Sequence, residues 1–253
     1  MTGLLIMPRD DFINKALTRD ENTIREMFSH AARNYDLLNH LLSFNLDRGW
    51  RRAMVRRARL NPDENILLLD LCTGTGDVIF VFVRNPKFRG KAVGIDFAEP
   101  MLSIAREKAE KMHVEDKVSF MQANALDLPF EKESFHMVTI SFGLRNLSDL
   151  DKGIGEIHRV LKPGGLFLSL EFLHPDNGLS KTLSAWYINW IVPFVGNIVN
   201  KRRGAYAYLS ASRDKFINAE LFDMKLKKAG FINVVHKHFL FRIATLHSCE
   251  KSK

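Results

Sequence analysis

The spacing of apolar positions changes along the chain. Met1–Thr23 has no regular pattern and reads as an arm. Ile24–Leu42 places apolar residues at helical spacing, and Asn45–Leu60 does so again around Trp50, Met54 and Val55. Pro62 closes this helical preface. Short apolar runs then alternate with helical patterns. Ile66–Leu69, Lys91–Asp96, Lys117–Gln122, Phe135–Phe142 and Leu166–Phe172 predict strands. Helices are predicted from Val78, over Glu99–Met112 and over Asp149–Leu161, the last stopped by Lys162-Pro163-Gly164-Gly165. An aromatic-rich stretch, Leu179–Val199, precedes a helix at Phe216–Gly230, and two strands, Ile232–Phe239 and Phe241–Cys249, end the chain. Such alternation predicts an α/β, doubly wound, mostly parallel sheet covered on both faces.

The first strand runs into Asp70 and then Cys72, Thr73, Gly74, Thr75, Gly76 and Asp77 before apolar residues resume. Strand, glycine loop and helix form the turn where doubly wound sheets hold nucleotide-like ligands. Gly74 and Gly76 let the backbone turn tightly and approach a ligand. Residue types decide which ligand. The third glycine of a dinucleotide fingerprint is replaced by Ile79, and no P-loop Lys-Ser or Lys-Thr follows. The loop carries Asp70 and Asp77 instead, and Asp96 ends the next strand. That acid lies about 20 residues on, where it would meet ribose hydroxyls. Acids in place of phosphate-binding groups suit a cation with a ribose diol and no phosphate, which describes S-adenosylmethionine. The structural alternatives are that Asp77 caps its helix and Asp70 merely ends a strand.

Composition narrows the class without choosing the substrate. The chain has 253 residues, 46% hydrophobic and 26% charged, which suits one large domain with a full core. Its two cysteines, Cys72 and Cys249, form neither a disulfide framework nor a zinc pattern, so a reducing cytoplasm is expected, and no metal site. The start is too early broken by acids to read as a secretory signal, and no apolar run reaches the ~18 residues of a spanning helix. A formal charge of +8 fits nucleic acid, an anionic membrane surface or plain solubility. Much of it clusters at Arg48, Arg51, Arg52, Arg56, Arg57 and Arg59, a basic helix face or simply a solvated one.

Several segments together resemble a known family. LDLCTGTGD, GID, QANA before LPF, and HRVLKPGG before a strand are the pattern of class I S-adenosylmethionine-dependent methyltransferases. YDLLNHLLSFNLDRGW (Tyr35–Trp50), RVLKPGGLFLSLE (Arg159–Glu171), SFGLRN (Ser141–Asn146) and YAYLSAS (Tyr206–Ser212) resemble the motifs of the ubiquinone/menaquinone C-methyltransferase family. The resemblance implies a seven-stranded Rossmann-like sheet with an antiparallel last strand and an N-terminal helical extension. It implies cofactor contacts at Thr75, Asp96, Asn124, Ala125 and Ser141, beside the loop residues Asp70, Gly74 and Gly76. The domain would divide into an arm with helices (1–62), a cofactor-binding core (63–175), a helical insertion or lid (176–212) and a C-terminal helix with strands (213–253). The chain departs from the family pattern at Leu38, Asp47 and Leu173, where the family has Met, His and Ser. The cofactor site is untouched, while the acceptor could be a relative of the family quinol.

The expected activity is methyl transfer from S-adenosylmethionine to a ring carbon of a quinol or hydroxylated aromatic, which can carry a prenyl tail. Arg145 would stabilise the developing phenolate, with Asn146 and Tyr35 completing the network; the alternative for Arg145 is a salt bridge to Asp149 or Asp151. His174, Asp47 and a water held by Arg145 are the candidate bases. Trp186–Val199, followed by Lys201, Arg202 and Arg203, is expected to dock on the inner face of the membrane, or to serve as a lid or homodimer contact. Rival readings are a methyltransferase for another small molecule or for RNA, and a non-catalytic binder of the cofactor. SFGLRN stands where base N-methyltransferases carry their Asn/Asp-Pro-Pro-aromatic motif, so nucleic acid is disfavoured.

Overall fold

The computed structural model describes residues 15–32, 35–173, 208, 211–240 and 242–253. Three helices come first: α1 (Glu21–Ala31), α2 (Tyr35–Leu42) and α3 (Leu46–Arg57). The pattern expected as one helix over Ile24–Leu42 is therefore two, and α1 begins inside the supposed arm. Asp20 sets that start, because its carboxylate accepts from the Thr23 backbone N–H at 2.9 Å. Then follow β1 (Asn65–Leu71), α4 (Asp77–Val83), β2 (Arg89–Asp96), α5 (Glu99–Lys111), β3 (Val118–Gln122), β4 (Phe135–Ser141), α6 (Leu150–Val160), β5 (Leu161–Glu171), α7 (Ala219–Lys228), β6 (Phe231–Phe239) and β7 (Ala244–Lys251).

The seven strands lie in the order β3-β2-β1-β4-β5-β7-β6. Strand β7 runs antiparallel between β5 and β6, and the pairs among β1 to β5 are parallel. Strand order reverses between β1 and β4, so a crevice opens at their carboxyl ends. Layers form on both faces because β1 and β4 are apolar on both sides. On one face Leu69, Leu71, Val138 and Ile140 pack with Ile154 and Ile157 of α6 and Phe222 and Leu226 of α7. On the other, Leu68 and Met137 pack with Ile79 and Phe82 of α4 and with Trp50 and Met54 of α3.

One turn differs from the sequence reading. The helix before β5 does end at Val160, but Lys162 to Gly165 bulge out of a strand that has already begun at Leu161. Gly164 takes φ +75° in that bulge. After β4 the left-handed residue is Phe142, at φ 58°, while the φ of Gly143 is −107°. Gly143 is needed for space: a Cβ there would lie 2.6 Å from the Cβ of Cys72.

Candidate functional site

The glycine turn works as its sequence suggests. Gly76 is the N-cap of α4 at φ 85°, and a Cβ would sit 2.7 Å from the Phe80 ring. Gly74, at φ 56°, has room for a Cβ but takes a backbone conformation that disfavours one. Its N–H donates to Asp96 Oδ2 at 2.9 Å, while Ala98 N donates to Asp96 Oδ1 at 3.0 Å. Asp96 is thus locked at the end of β2 against the loop. Burial raises the pKa of its carboxyl, partly offset by the backbone N–H groups of Ala98, Gly74 and Phe97. Asp70 is equally buried, held by Thr139 Oγ1 at 2.6 Å and Thr73 Oγ1 at 2.7 Å. Burial pushes its pKa up to about 7 against those two hydrogen bonds. Two buried carboxylates that resist ionisation form a site that a cationic ligand relieves. Ser141 Oγ adds a buried polar atom without a hydrogen-bond partner among the described residues.

A cavity of about 260 Å³ opens beside them, lined by Asp96, Phe97, Asn124, Ala125 and Asn146 under Glu21 and Arg25 of α1. Asn124 Oδ1 accepts from Leu126 N at 2.9 Å, an Asx turn that presents the Ala125 backbone. Two small recesses continue past Tyr35, Cys72, Gly74 and Ser141; Thr75 and Asp70 line one, Asn146 the other. Of the sequence-predicted residues, Asp96, Asn124, Ala125 and Asn146 share the main cavity, while Asp70, Gly74, Thr75, Ser141 and Tyr35 line the recesses. Gly76 shapes the turn without lining them. Glu21, Arg25 and Phe97 were missed. Phe97, immediately after Asp96, could have been found; Glu21 could not, since its segment looked unpatterned.

Thr75 faces away from the main cavity. Its Oγ1 donates to Asp36 at 2.5 Å, and Lys108 Nζ reaches Thr75 at 3.0 Å, Asp77 at 2.8 Å and Asp36 at 2.6 Å. Asp77 is the first residue of α4 and Gly76 its cap; the Asp77 carboxylate serves Lys108 and, at 3.4 Å, Arg51. Arg51, expected on a basic face, is buried and also pairs with Asp47. Asp47 accepts from Ser43 at 2.7 Å and contacts His40 Nδ1 at 2.7 Å. Burial raises its pKa, but Arg51, Ser43 and His40 outweigh this and hold it below the usual range. A buried carboxylate so committed is a poor base, and the structure assigns it to holding α2 and α3 together. Three of the remaining arginines, Arg56, Arg57 and Arg59, line a separate cavity of about 420 Å³ with Lys237.

Arg145 follows β4 in a single 3-10 turn and is buried. It pairs with neither Asp149 nor Asp151. Its Nη1 donates to Glu171 Oε1 at 2.6 Å and to the Phe142 carbonyl at 2.8 Å, and its backbone N to Glu171 Oε2 at 3.3 Å. Burial lowers the Arg145 pKa but Glu171 more than restores it, so the guanidinium is charged. Its Nε has no hydrogen-bond partner among the described residues. Tyr35 and Tyr208 lie close enough to feel its charge, and Tyr208 donates to Asn146 Oδ1 at 2.8 Å. Behind it Phe142 stacks on Phe172 at 4.4 Å, with Trp50 edge-on to Phe172. Glu171 was quoted within a motif but not singled out; only the fold shows it beneath Arg145. His174, the aromatic stretch Trp186–Val199 and Lys201 to Arg203 fall outside the described residues.

Among the described residues, Arg51 and Lys108 beside the glycine loop are already shared among aspartates, which leaves neither to a phosphate. On a sheet of this order, with acids ending β1 and β2, such a crevice makes the chain a class I S-adenosylmethionine-dependent methyltransferase. The comparisons agree and narrow it. A model of the ubiE/COQ5 methyltransferase family matches residues 16–251, and the chain belongs to that family. It is 42% identical to a demethylmenaquinone methyltransferase of Thermus thermophilus, over 87% of this chain and 98% of that one. It is 38% identical to the ubiquinone/menaquinone biosynthesis C-methyltransferase UbiE of Geobacter sulfurreducens, over 93% and 91%. Among solved structures, a Haloferax volcanii methyltransferase in complex with the Trm112 activator aligns with TM-score 0.63 at 20% identity, covering 89% of this chain and 98% of that one. A Haemonchus contortus N-methyltransferase bound to S-adenosylhomocysteine aligns with TM-score 0.61 at 18% identity, covering 81% and 53%. These two support the fold.

Proposed function

We propose that this methyltransferase acts on the ring carbon of a demethylated, prenyl-bearing quinol of the demethylmenaquinol type. The observation that carries the reading is the group of buried Arg145 and Tyr208 with half-buried Tyr35 and Asn146, of which Tyr35 and Asn146 reach into the cofactor crevice. The cofactor supplies an already activated methyl. The chain has to align an aromatic ring with it, keep water out and stabilise charge on the ring oxygen. Tyr35 and Asn146 offer hydrogen bonds, and Arg145, which lies behind them and lines none of these cavities, offers a permanent charge positioned by Glu171. Phe142, at the wall of both recesses, offers an apolar face to the ring. The names of the relatives support the quinol over other aromatics.

Membrane contact is part of the same proposal, because a prenylated quinol resides in lipid. No helix among the described residues is long and apolar enough to cross a membrane. The arginine-lined cavity on α3 and β6 supports surface contact with anionic headgroups. The test is an acceptor screen under reducing conditions with a short-tail 2-prenyl-1,4-naphthoquinol, its oxidised quinone, a simple phenol and transfer RNA. Turnover with the quinol alone supports the proposal. Turnover with RNA, or equal rates on quinol and phenol, overturns it.

A further inference from the structure

Far along the sheet from the glycine loop, three side chains from three elements converge under α7. They are Asp223 of α7, His236 of β6 and His247 of β7, and one ligand-type atom from each lies within 4.8 Å of the other two. His236 and His247 stand opposite each other in the β6–β7 ladder, so both rings emerge on the same face. Phe222, next to Asp223, packs edge-on to His247 at 4.8 Å and sets the depth at which α7 lies.

His247 is fully buried, and no side chain hydrogen-bonds either ring nitrogen among the described residues; only the Ala219 backbone approaches the ring. Asp223 Oδ1 is buried and without a partner as well. His247 Nε2 and Asp223 Oδ1 face each other at 3.5 Å. A buried imidazole and a buried carboxylate oxygen left this way are costly. Ligand atoms on a tetrahedral ion with bonds of about 2.0–2.2 Å lie roughly 3.3–3.6 Å apart, which spans the observed gap. The third donor is in place: His236 Nδ1 touches Asp223 Oδ2 at 2.7 Å. The ring of His236 remains partly open to solvent and gives an ion a way in.

We propose that Asp223, His236 and His247 form a binding site for one divalent transition-metal ion of the zinc type, which staples α7 to the β6–β7 edge. Two imidazoles and one carboxylate favour such an ion over calcium or magnesium, which take oxygen ligands. On binding, the proton that His236 Nδ1 shares with Asp223 is released or moves to Nε2, and the ion takes its place. Water fills the fourth position. The sheet connects the staple to the methyl-transfer site: His247 stands opposite Ser169, and two residues away Thr245 stands opposite Glu171, the partner of Arg145.

The test uses the full chain after chelator treatment, titrated with Co2+ and followed by its visible absorption, then competed with Zn2+. One equivalent should bind, and Zn2+ should raise the thermal midpoint. His236→Gln and Asp223→Asn should each weaken Co2+ binding by at least about 100-fold and abolish the Zn2+ shift. His236 is part-exposed, so its variant tests the site even where a His247 variant does not fold. His40→Gln is the control, because His40, Asp47 and Asp77 form the other such group among the described residues. Absence of saturable binding, or loss of binding in His40→Gln but not in His236→Gln, overturns the proposal.

Discussion

At the scale of single residues, the account rests on charges taken out of water. Arg145 and Glu171 are buried together, so removing one strands the other. Glu171→Gln should lower stability by about 3–5 kcal/mol, read from a urea midpoint with unchanged slope. Arg145→Ala should lose similar stability and, at a temperature where it is folded, lower kcat by about 100-fold with little change in cofactor Kd. Arg145→Lys should be intermediate. Normal turnover by the alanine variant would make Arg145 purely structural. Asp70 gives a pH prediction. A carboxyl raised to about 7 in the fold favours the protonated form, so its contribution to stability is present at low pH and lost as pH rises through 7. A cationic cofactor prefers the ionised form, so its affinity should increase from pH 6 to pH 8. Titration calorimetry should show that rise, and Asp70→Asn should flatten it.

At the scale of elements, the informative feature is the seam of Asp36, Thr75, Asp77, Lys108, Arg51 and Asp47. It ties α2 and α3 to the glycine turn and α5. Lys108→Met should leave Asp36 and Asp77 facing each other and loosen the turn. Cofactor Kd should weaken by roughly tenfold, about 1.4 kcal/mol, with kcat at saturating cofactor unchanged. Asp47→Asn should lower the thermal midpoint while leaving the pH profile of kcat in place; a shifted profile would return Asp47 to the role of base. The strands and the glycine turn were legible because the period of apolar residues and the φ demands of glycine are local. The seam was not. Arg51 looks like one arginine among six until α4 brings Asp77 to it. Glu171 likewise reads as a strand end until β4 sets Arg145 beside it.

For the whole molecule, the crevice between β1 and β4 is walled by residues from Glu21 of α1 to Ser148 beyond β4, and Tyr208 acts on it through Asn146. Opening it should therefore weaken the cofactor and the acceptor together. Asp96→Ala, which releases the Gly74 and Ala98 N–H groups, should cost about 1.5–3 kcal/mol in cofactor binding. Full affinity in that variant would contradict the assignment of β2 to the cofactor. The most direct test of the central claim is where the methyl lands. Cofactor carrying a CD3 group, the full-length protein and a short-tail 2-prenyl-1,4-naphthoquinol are allowed one turnover, and the product is read by mass and NMR. The account predicts CD3 on the free ring carbon beside a hydroxyl-bearing carbon. Label on a quinol oxygen, or an unlabelled quinol beside intact cofactor, would contradict it.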